Sequence, residues 1–234
     1  MPLVLLLGLF FSALSVASPE AAEAAFHQQF PDLKIDKVEP SAVSGLYQLS
    51  SGPLVIYLSE NGRYVFQGNI FDLHNKQDNI TEKARKTALV TALQYLQKEG
   101  AQGIEYPAPN SQYTLTVFTD VSCGYCRKFH QSVPTLNKQG VSVRYLAFPR
   151  NGESSASYRQ LVSVWCGEDP KALLTNAKAG QTIPEKMCVN PVKKHHELGL
   201  LAGVQGTPTL VLPDGTLVPG YIEPGELINL LQAE

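Results

Sequence analysis

Leu115-Thr116-Val117-Phe118-Thr119, followed after three residues by Cys123-Gly124-Tyr125-Cys126, places two cysteines where an apolar strand pattern gives way to a helix-compatible sequence. A strand-to-helix junction presents unpaired backbone N–H groups and the positive end of the helix dipole. A thiol in the first helical turn is therefore shifted toward the thiolate, the form that attacks disulfides. Cys126 follows one turn later, close enough to form a disulfide with Cys123. The stretch predicts a redox-active dithiol with Cys123 as the nucleophile.

A second motif, Gly206-Thr207-Pro208, precedes the apolar run Thr209–Leu212 about eighty residues later. We expect Pro208 to follow a cis peptide bond and to face the dithiol, with Thr207 and Pro208 offering an extended backbone edge to a substrate chain. The alternative is a proline that simply begins a strand.

The residues between and after the two cysteines are expected to support the chemistry. Gly124 and Tyr125 would set the redox potential and supply part of the substrate contact. Arg127 and Lys128 follow within one turn and would add positive charge beside the nucleophile.

Composition limits the classes of function. The 234 residues are 44% hydrophobic and 17% charged, enough for two modest cores. A net charge of -2 predicts no nucleic acid partner and no anionic membrane surface. We expect no cofactor and no metal ion.

The first seventeen residues predict a secretory signal peptide. They are apolar, too short for a comfortable membrane span, and end in the small-x-small triplet Ser15-Val16-Ala17. No Lys or Arg precedes the apolar core, so an uncleaved anchor is the alternative. Export would place the four cysteines in an oxidising compartment.

The four cysteines allow three pairings. Pairing of neighbours keeps Cys123 with Cys126 and leaves Cys166 with Cys188, whose loop would stabilise the fold by roughly 3 kcal/mol. The flanks of Cys166 and Cys188 show no sign of activation, so a structural role is expected for that pair.

Two other interpretations of the Cys-x-x-Cys pair are a structural bridge and a zinc site. Zinc needs four ligands, and the spacings of Cys166, Cys188, His195 and His196 form no second ligand pair. We expect His195 and His196 to be solvated and His130 to lie at the surface. Trp165 is expected to pack against the second disulfide.

The order of elements predicts an α/β chain, α+β overall, with two domains. A small N-terminal α+β domain (18–78) combines a helix at Pro19–Phe30 with strands at 34–38, 46–50, 54–59 and 63–67. Residues 79–100 form a linker helix between domains, with an ordinary surface helix as the alternative. After a loose stretch from Gly100 to Ser111, the catalytic domain (101–234) carries a helical insertion at about 154–201.

Several further motifs resemble the DsbC/DsbG family of periplasmic, thioredoxin-like thiol:disulfide isomerases, and the likeness covers the chain beyond the signal. They are Phe118-Thr119-Asp120, the Cys123–Cys126 pair, Val143–Arg150, Trp165-Cys166, Gly206-Thr207-Pro208 and Gly215–Tyr221.

The resemblance implies a V-shaped periplasmic homodimer, joined through its cystatin-like N-terminal domains, whose dithiols face a shared apolar cleft. It also implies chaperone activity, misfolded disulfide-containing exported proteins as substrates, and a DsbD-type transmembrane thiol reductase as partner. Carried onto this chain, Cys123 is nucleophilic, Cys126 resolving, Pro208 cis, and Cys166–Cys188 a structural bridge.

One position departs from thioredoxins proper. Val117 stands where those proteins have a buried carboxylate, which leaves open the group that relays the proton of Cys126. The rival interpretations are a DsbG-like reductase of oxidised single cysteines and a dimeric holdase chaperone without redox turnover.

Overall fold

The computed structural model describes residues 18–76 and 78–233. The predicted signal peptide, residues 1–17, lies outside these ranges. No helix within them is long and apolar enough to cross a membrane. The chain divides into two compact units: the first runs up to Leu49 and includes Ile56–Gln67, and the second comprises Ser50–Val55 and the chain from Gly68 onward.

The first unit combines one helix with a four-stranded sheet in the order β1-β2-β3-β4. Burial alternates along β2, where Tyr47 and Leu49 face the core. Gly62, in the Asn61-Gly62 turn before β4, has a φ of +67°, which suits glycine. The elements are α1 (Pro19–Gln29), β1 (Lys37–Pro40), β2 (Leu46–Ser51), β3 (Leu54–Ser59) and β4 (Val65–Phe66).

Helix α2 (Ile80–Lys98) follows the short strands β5 (Phe71–Asp72) and β6 (Asp78–Asn79). It begins as its sequence predicts, because the Asn79 side chain accepts a hydrogen bond from the Glu82 backbone N–H at 3.0 Å. Its apolar side is centred on Leu89, which is buried in a cluster with Phe118 and Phe148 of the second unit. The helix therefore belongs to the second unit and contributes to its core.

The second unit is built on a mixed five-stranded sheet in the order β11-β10-β8-β9-β7. Strands β8 and β9 are parallel, and helix α3 connects them. Strand β10 runs antiparallel to β8, so its start lies beside the end of β8. The elements are β8 (Tyr113–Thr119), α3 (Gly124–Lys138), β9 (Val141–Ala147), β10 (Thr209–Val211) and β11 (Leu217–Pro219).

Strand β7 (Ile104–Tyr106) lies in the stretch from Gly100 to Ser111 that was expected to be loose, and that expectation is wrong. It pairs antiparallel with β9, and both Ile104 and Tyr106 are buried in the main core. Three residues between a glycine and a proline are too few to show a strand periodicity.

Helices cover the sheet, as an α/β architecture requires. The predicted insertion contains α4 (Ala156–Trp165), α5 (Pro170–Lys178) and α6 (Val192–Leu201), and the chain ends with α7 (Pro224–Gln232). A disulfide between Cys166 and Cys188, with a Cα–Cα distance of 5.6 Å, joins the end of α4 to the segment that leads into α6.

Candidate active site

Cys123 is the N-cap residue of helix α3 and has extended backbone angles. Its sulfur accepts a hydrogen bond from the backbone N–H of Cys126 at 3.3 Å, so the thiol occupies the place of a usual serine or aspartate cap. Cys126 lies in the first turn of the helix and is buried. Both cysteines are free thiols, which is the reduced form of the pair.

The Thr207–Pro208 peptide bond is cis and lies against the nucleophile. Because Thr209 pairs with Phe118, the residues before β10 meet the residues after β8, and the Cys123 thiol donates a hydrogen bond to the Thr207 carbonyl at 3.1 Å. The Thr207 hydroxyl has no partner among the residues described, so it is available to donate to a Cys123 thiolate.

The site makes Cys123 acidic. A hydrogen bond from the Cys126 thiol is the largest cause, and with the Thr207 hydroxyl, the Cys126 backbone N–H and the charge of Arg150 it lowers the pKa of Cys123 to about 5. Burial opposes this effect and is outweighed. At neutral pH the sulfur of Cys123 is therefore a thiolate.

A buried carboxylate holds Arg150 in place. Asp120 accepts hydrogen bonds from the Arg150 backbone N–H at 3.0 Å and from its Nε at 3.3 Å, while the backbone and hydroxyl of Ser122 donate to the other oxygen at 2.8 Å. Burial alone would raise the pKa of Asp120, but these hydrogen bonds outweigh it and lower that pKa. The sequence places Asp120 and Arg150 in motifs that resemble the family, but it predicted no role for either residue in the site.

The side chains of Arg127 and Lys128, which were expected to add charge beside Cys123, interact with other groups. The Arg127 Nε donates to the Val121 carbonyl at 3.3 Å. The Lys128 amine pairs with Glu223 at 2.9 Å and lies over the Tyr221 ring. Arg150, from a different part of the chain, supplies the charge that lowers the pKa of Cys123.

Cys126 differs sharply from Cys123. Burial raises the pKa of its thiol well above the ordinary value, and the hydrogen bond to Cys123 adds to the effect. Val117 is fully buried and apolar, so no carboxylate acts from that position. At neutral pH the pair consists of one thiolate and one thiol, the arrangement that attacks a disulfide with one sulfur and keeps the other in reserve.

The Cys123 residue is only 3% exposed, and the Thr207 carbonyl lies against its sulfur. Tyr125, between the two cysteines, is 66% exposed, and nothing lies within 4 Å of a Cβ placed on Gly124. A shallow groove beside the dithiol is lined by Gly206, Thr207, Pro208, Thr209, Pro219 and Gly220.

The expectation that His195 and His196 are solvated is wrong. His195 is fully buried: its Nδ1 accepts from the Ala147 N–H at 3.4 Å and its Nε2 donates to the Ala101 carbonyl at 2.9 Å. His196 is buried against the Phe148 ring. Trp165 packs edge-on against His195.

The same contacts leave His195 without a free nitrogen for a metal. Within residues 18–76 and 78–233, no group of three or more His, Cys, Asp and Glu side chains is placed to hold an ion.

His130 is half-buried rather than at the surface. Its Nδ1 hydrogen bonds the Tyr145 hydroxyl at 3.1 Å, and its Nε2 hydrogen bonds the Thr175 hydroxyl at 3.2 Å. Burial lowers the pKa of His130 to about 4, so its ring is neutral at pH 7. These contacts between α3, β9 and α5 could not be predicted from the sequence, because they join residues that are distant along the chain.

A dithiol at a helix N-terminus, beside a cis-proline that precedes the neighbouring strand of a mixed sheet, defines a thioredoxin-fold thiol–disulfide oxidoreductase. The model of a thioredoxin-like domain matches residues 101–234, and that of the disulfide bond isomerase protein N-terminal domain matches residues 13–82. The chain belongs to the DsbC family of thiol:disulfide interchange proteins, as the resemblance predicted.

Individual relatives support the assignment over nearly the full length. The chain is 35% identical to the thiol:disulfide interchange protein DsbC of Escherichia coli K12, over 91% of this chain and 88% of the relative. Identity to the DsbC protein of Dickeya dadantii is 36%, over 98% and 94%. A disulfide interchange protein structure from Neisseria gonorrhoeae superposes with a TM-score of 0.51 at 27% identity, covering 56% of this chain and 94% of that one. The predicted thioredoxin-like fold and the predicted enzyme class, a disulfide isomerase and oxidoreductase, are confirmed.

Proposed function

We propose that this enzyme rearranges non-native disulfides in exported proteins through a mixed disulfide on Cys123. The observation that carries the proposal is the Cys123 sulfur itself, which caps helix α3 and has a pKa lowered to about 5. Its thiolate attacks one sulfur of a substrate disulfide, the substrate S–S bond breaks, and the second substrate sulfur leaves as a thiolate.

The mixed disulfide has two fates. In isomerisation, another substrate thiolate attacks the substrate sulfur bound to Cys123, forms a new substrate disulfide and regenerates the Cys123 thiolate. In reduction, Cys126 attacks Cys123, the substrate leaves reduced, and the enzyme keeps a Cys123–Cys126 disulfide. The raised pKa of Cys126 keeps it protonated and slows the second fate, which leaves the substrate time to rearrange.

The segment around the cis peptide bond Thr207–Pro208 is the proposed substrate-binding site. In the reduced protein the Cys123 thiol donates to the Thr207 carbonyl, and ionisation of the thiol ends that hydrogen bond. The carbonyl is then free to accept an N–H from an extended substrate chain, with Pro208 beside it and Gly124 and Tyr125 on the exposed side. Cys166–Cys188, distant in sequence from this exchange, has a structural role.

We also propose that two copies pair through the N-terminal cystatin-like domain (18–78), with the helix at 79–100 as linker. Strand β4 is at the edge of its sheet, and its Val65 and Phe66 side chains are 47% and 49% exposed. An apolar edge strand is typical of a surface that another chain covers. The resulting apolar cleft would hold misfolded proteins and act as a chaperone.

Membership of the family supports a proposal for the setting of this activity. We propose export by cleavage of the signal at residues 1–17, residence in the periplasm, and reduction of the dithiol by a DsbD-type transmembrane reductase. Gly124 between the cysteines and the Cys166–Cys188 pair favour this isomerase over the DsbG-like alternative. The acidic Cys123 favours it over a holdase without redox turnover, which would need no ionised thiol.

Replacing Cys126 with alanine tests the mechanism, because it removes only the second fate. We expect Cys126→Ala to accumulate mixed disulfides with scrambled ribonuclease, at least tenfold above wild type, as seen by mass spectrometry after acid quenching. The matched control is the double variant Cys123→Ala/Cys126→Ala, which should form none. Adducts on any other cysteine, or none at all in Cys126→Ala, would remove the basis of the proposal.

A further inference from the structure

Lys178, the last residue of helix α5, has a buried amine at the end of β8, the strand that leads into the dithiol. The residue is only 4% exposed, and its Nζ donates a hydrogen bond to the Thr119 hydroxyl at 2.6 Å. The amine also lies 5.1 Å from the centre of the Tyr145 ring. No carboxylate forms an ion pair with it within the described part of the chain. A buried ammonium without a carboxylate is costly, so its position calls for a functional explanation.

Other charged groups around Lys178 do not provide that explanation. The oxygens of Asp120 are already bonded to Arg150 and Ser122, and the neutral ring of His130 adds no charge at pH 7. The titratable and charged groups that face the amine are Cys123, Cys126, Arg127 and His130 from the start of α3, Asp120 from the loop after β8, and Tyr145 from β9. The remaining group that could carry a negative charge to balance the Lys178 ammonium is a thiolate of the dithiol.

Cys126 has a chemical need that Lys178 can meet. To attack Cys123 in a mixed disulfide, its thiol must first lose a proton inside a buried site. Val117 supplies no carboxylate for this purpose. A neutral amine can accept the proton, and the ammonium it becomes stays beside the new thiolate.

We propose that Lys178 is the positioning residue that takes up the proton of Cys126 and stabilises its thiolate during reduction of the mixed disulfide. The proposal rests on the function proposed above. In the step, the Cys126 proton passes to the Lys178 amine. The Cys126 thiolate then attacks the Cys123 sulfur, the Cys123–substrate bond breaks, and the substrate leaves as a thiolate that takes a proton from water.

The electrostatics agree with this geometry. Burial lowers the pKa of Lys178 to about 8, and the charge that develops on Cys126 opposes that effect. Lys178 in turn lowers the pKa of Cys126, against the larger effect of burial. Roughly a tenth of the amine is then neutral at pH 7, and the fraction grows as the pH rises through 8.

The test compares Lys178→Met with wild type in the full-length mature protein. Reduced enzyme is mixed with oxidised glutathione, quenched with acid, and analysed by mass spectrometry for the glutathione adduct on Cys123 and for its closure to the Cys123–Cys126 disulfide. We expect adduct formation to change less than threefold and closure to slow at least tenfold at pH 7. Wild-type closure should accelerate as the pH rises through about 8, and the variant should lack this rise.

Lys171→Met is the matched control, because it removes the same charge from an exposed position on the same helix. It should close at the wild-type rate. Equal closure rates and pH profiles in Lys178→Met and wild type would overturn the proposal for Lys178 alone. Failure of the wild-type protein to form the adduct on Cys123 would instead overturn the proposed function.

A second measurement leaves Lys178 in place and does not depend on the folding of its variant. The Lys178 amine is titrated by NMR in the reduced wild-type protein and in Cys126→Ala. We expect removal of the Cys126 thiol to lower the pKa of Lys178, because the interaction with Cys126 that raises this pKa is gone. Identical titration curves would contradict the pairing of the two groups.

Discussion

Replacing Cys123 with alanine is expected to abolish the rearrangement of scrambled ribonuclease, with a loss on the order of a thousandfold or more. No other described sulfur can take its place. Cys126 is buried, with its pKa raised by burial. Cys166 and Cys188 are already bonded to each other.

The readout is the recovery of ribonuclease activity over time. Suppression of aggregation, measured on a protein without cysteines, serves as the control for folding and should remain largely intact in Cys123→Ala. An unchanged rate of rearrangement in this variant would show that the nucleophile has been assigned to the wrong residue.

Deletion of the N-terminal domain is expected to give a monomer that reduces insulin at close to the wild-type rate and loses most of its isomerase activity. Reduction needs only the dithiol and its groove, whereas isomerisation needs the substrate to be held while it rearranges. The structure places the cut before Gly68 rather than before Asn79. The reason is that the backbone N–H of Ile70 donates a hydrogen bond to the Thr81 hydroxyl at 2.9 Å, at the start of α2.

Analytical ultracentrifugation measures the mass of the truncated protein, and parallel insulin and ribonuclease assays measure its activities. The matched control is the full-length mature protein at the same concentration. A truncated protein that still sediments as a dimer, or a monomer with full isomerase activity, would contradict the role proposed for the first domain.

Local signals in the sequence were sufficient for most of the elements. Asn79 and Glu82 mark the start of α2 because a cap and its partner are three residues apart in any helix. The strand before Cys123 and the turn at Gly62 likewise depend on neighbours in the chain. Strand β7 could not be predicted, because its three residues form a strand only by pairing with β9, about forty residues later in the chain.

The electrostatics of the site could not be predicted, because its partners are distant in sequence. The hydrogen bond between Arg150 and Asp120 joins residues 30 positions apart in the sequence, and that between Lys178 and Thr119 joins residues 59 positions apart. From the sequence alone, a lysine or a histidine is expected to be solvated, because most such side chains in proteins are exposed. Only the fold shows that Lys178 and His195 are buried and what they face.

The central claim is that Cys123 is acidic because it caps helix α3 and receives hydrogen bonds from Cys126. Its most direct test is the rate of Cys123 alkylation by iodoacetamide between pH 3 and pH 10, with each cysteine quantified by peptide mass spectrometry. Only the thiolate reacts, so the rate rises with pH through the pKa. We predict half-maximal reactivity near pH 5 and a plateau through neutrality. A midpoint near pH 8.5, that of an ordinary peptide thiol, would contradict the account.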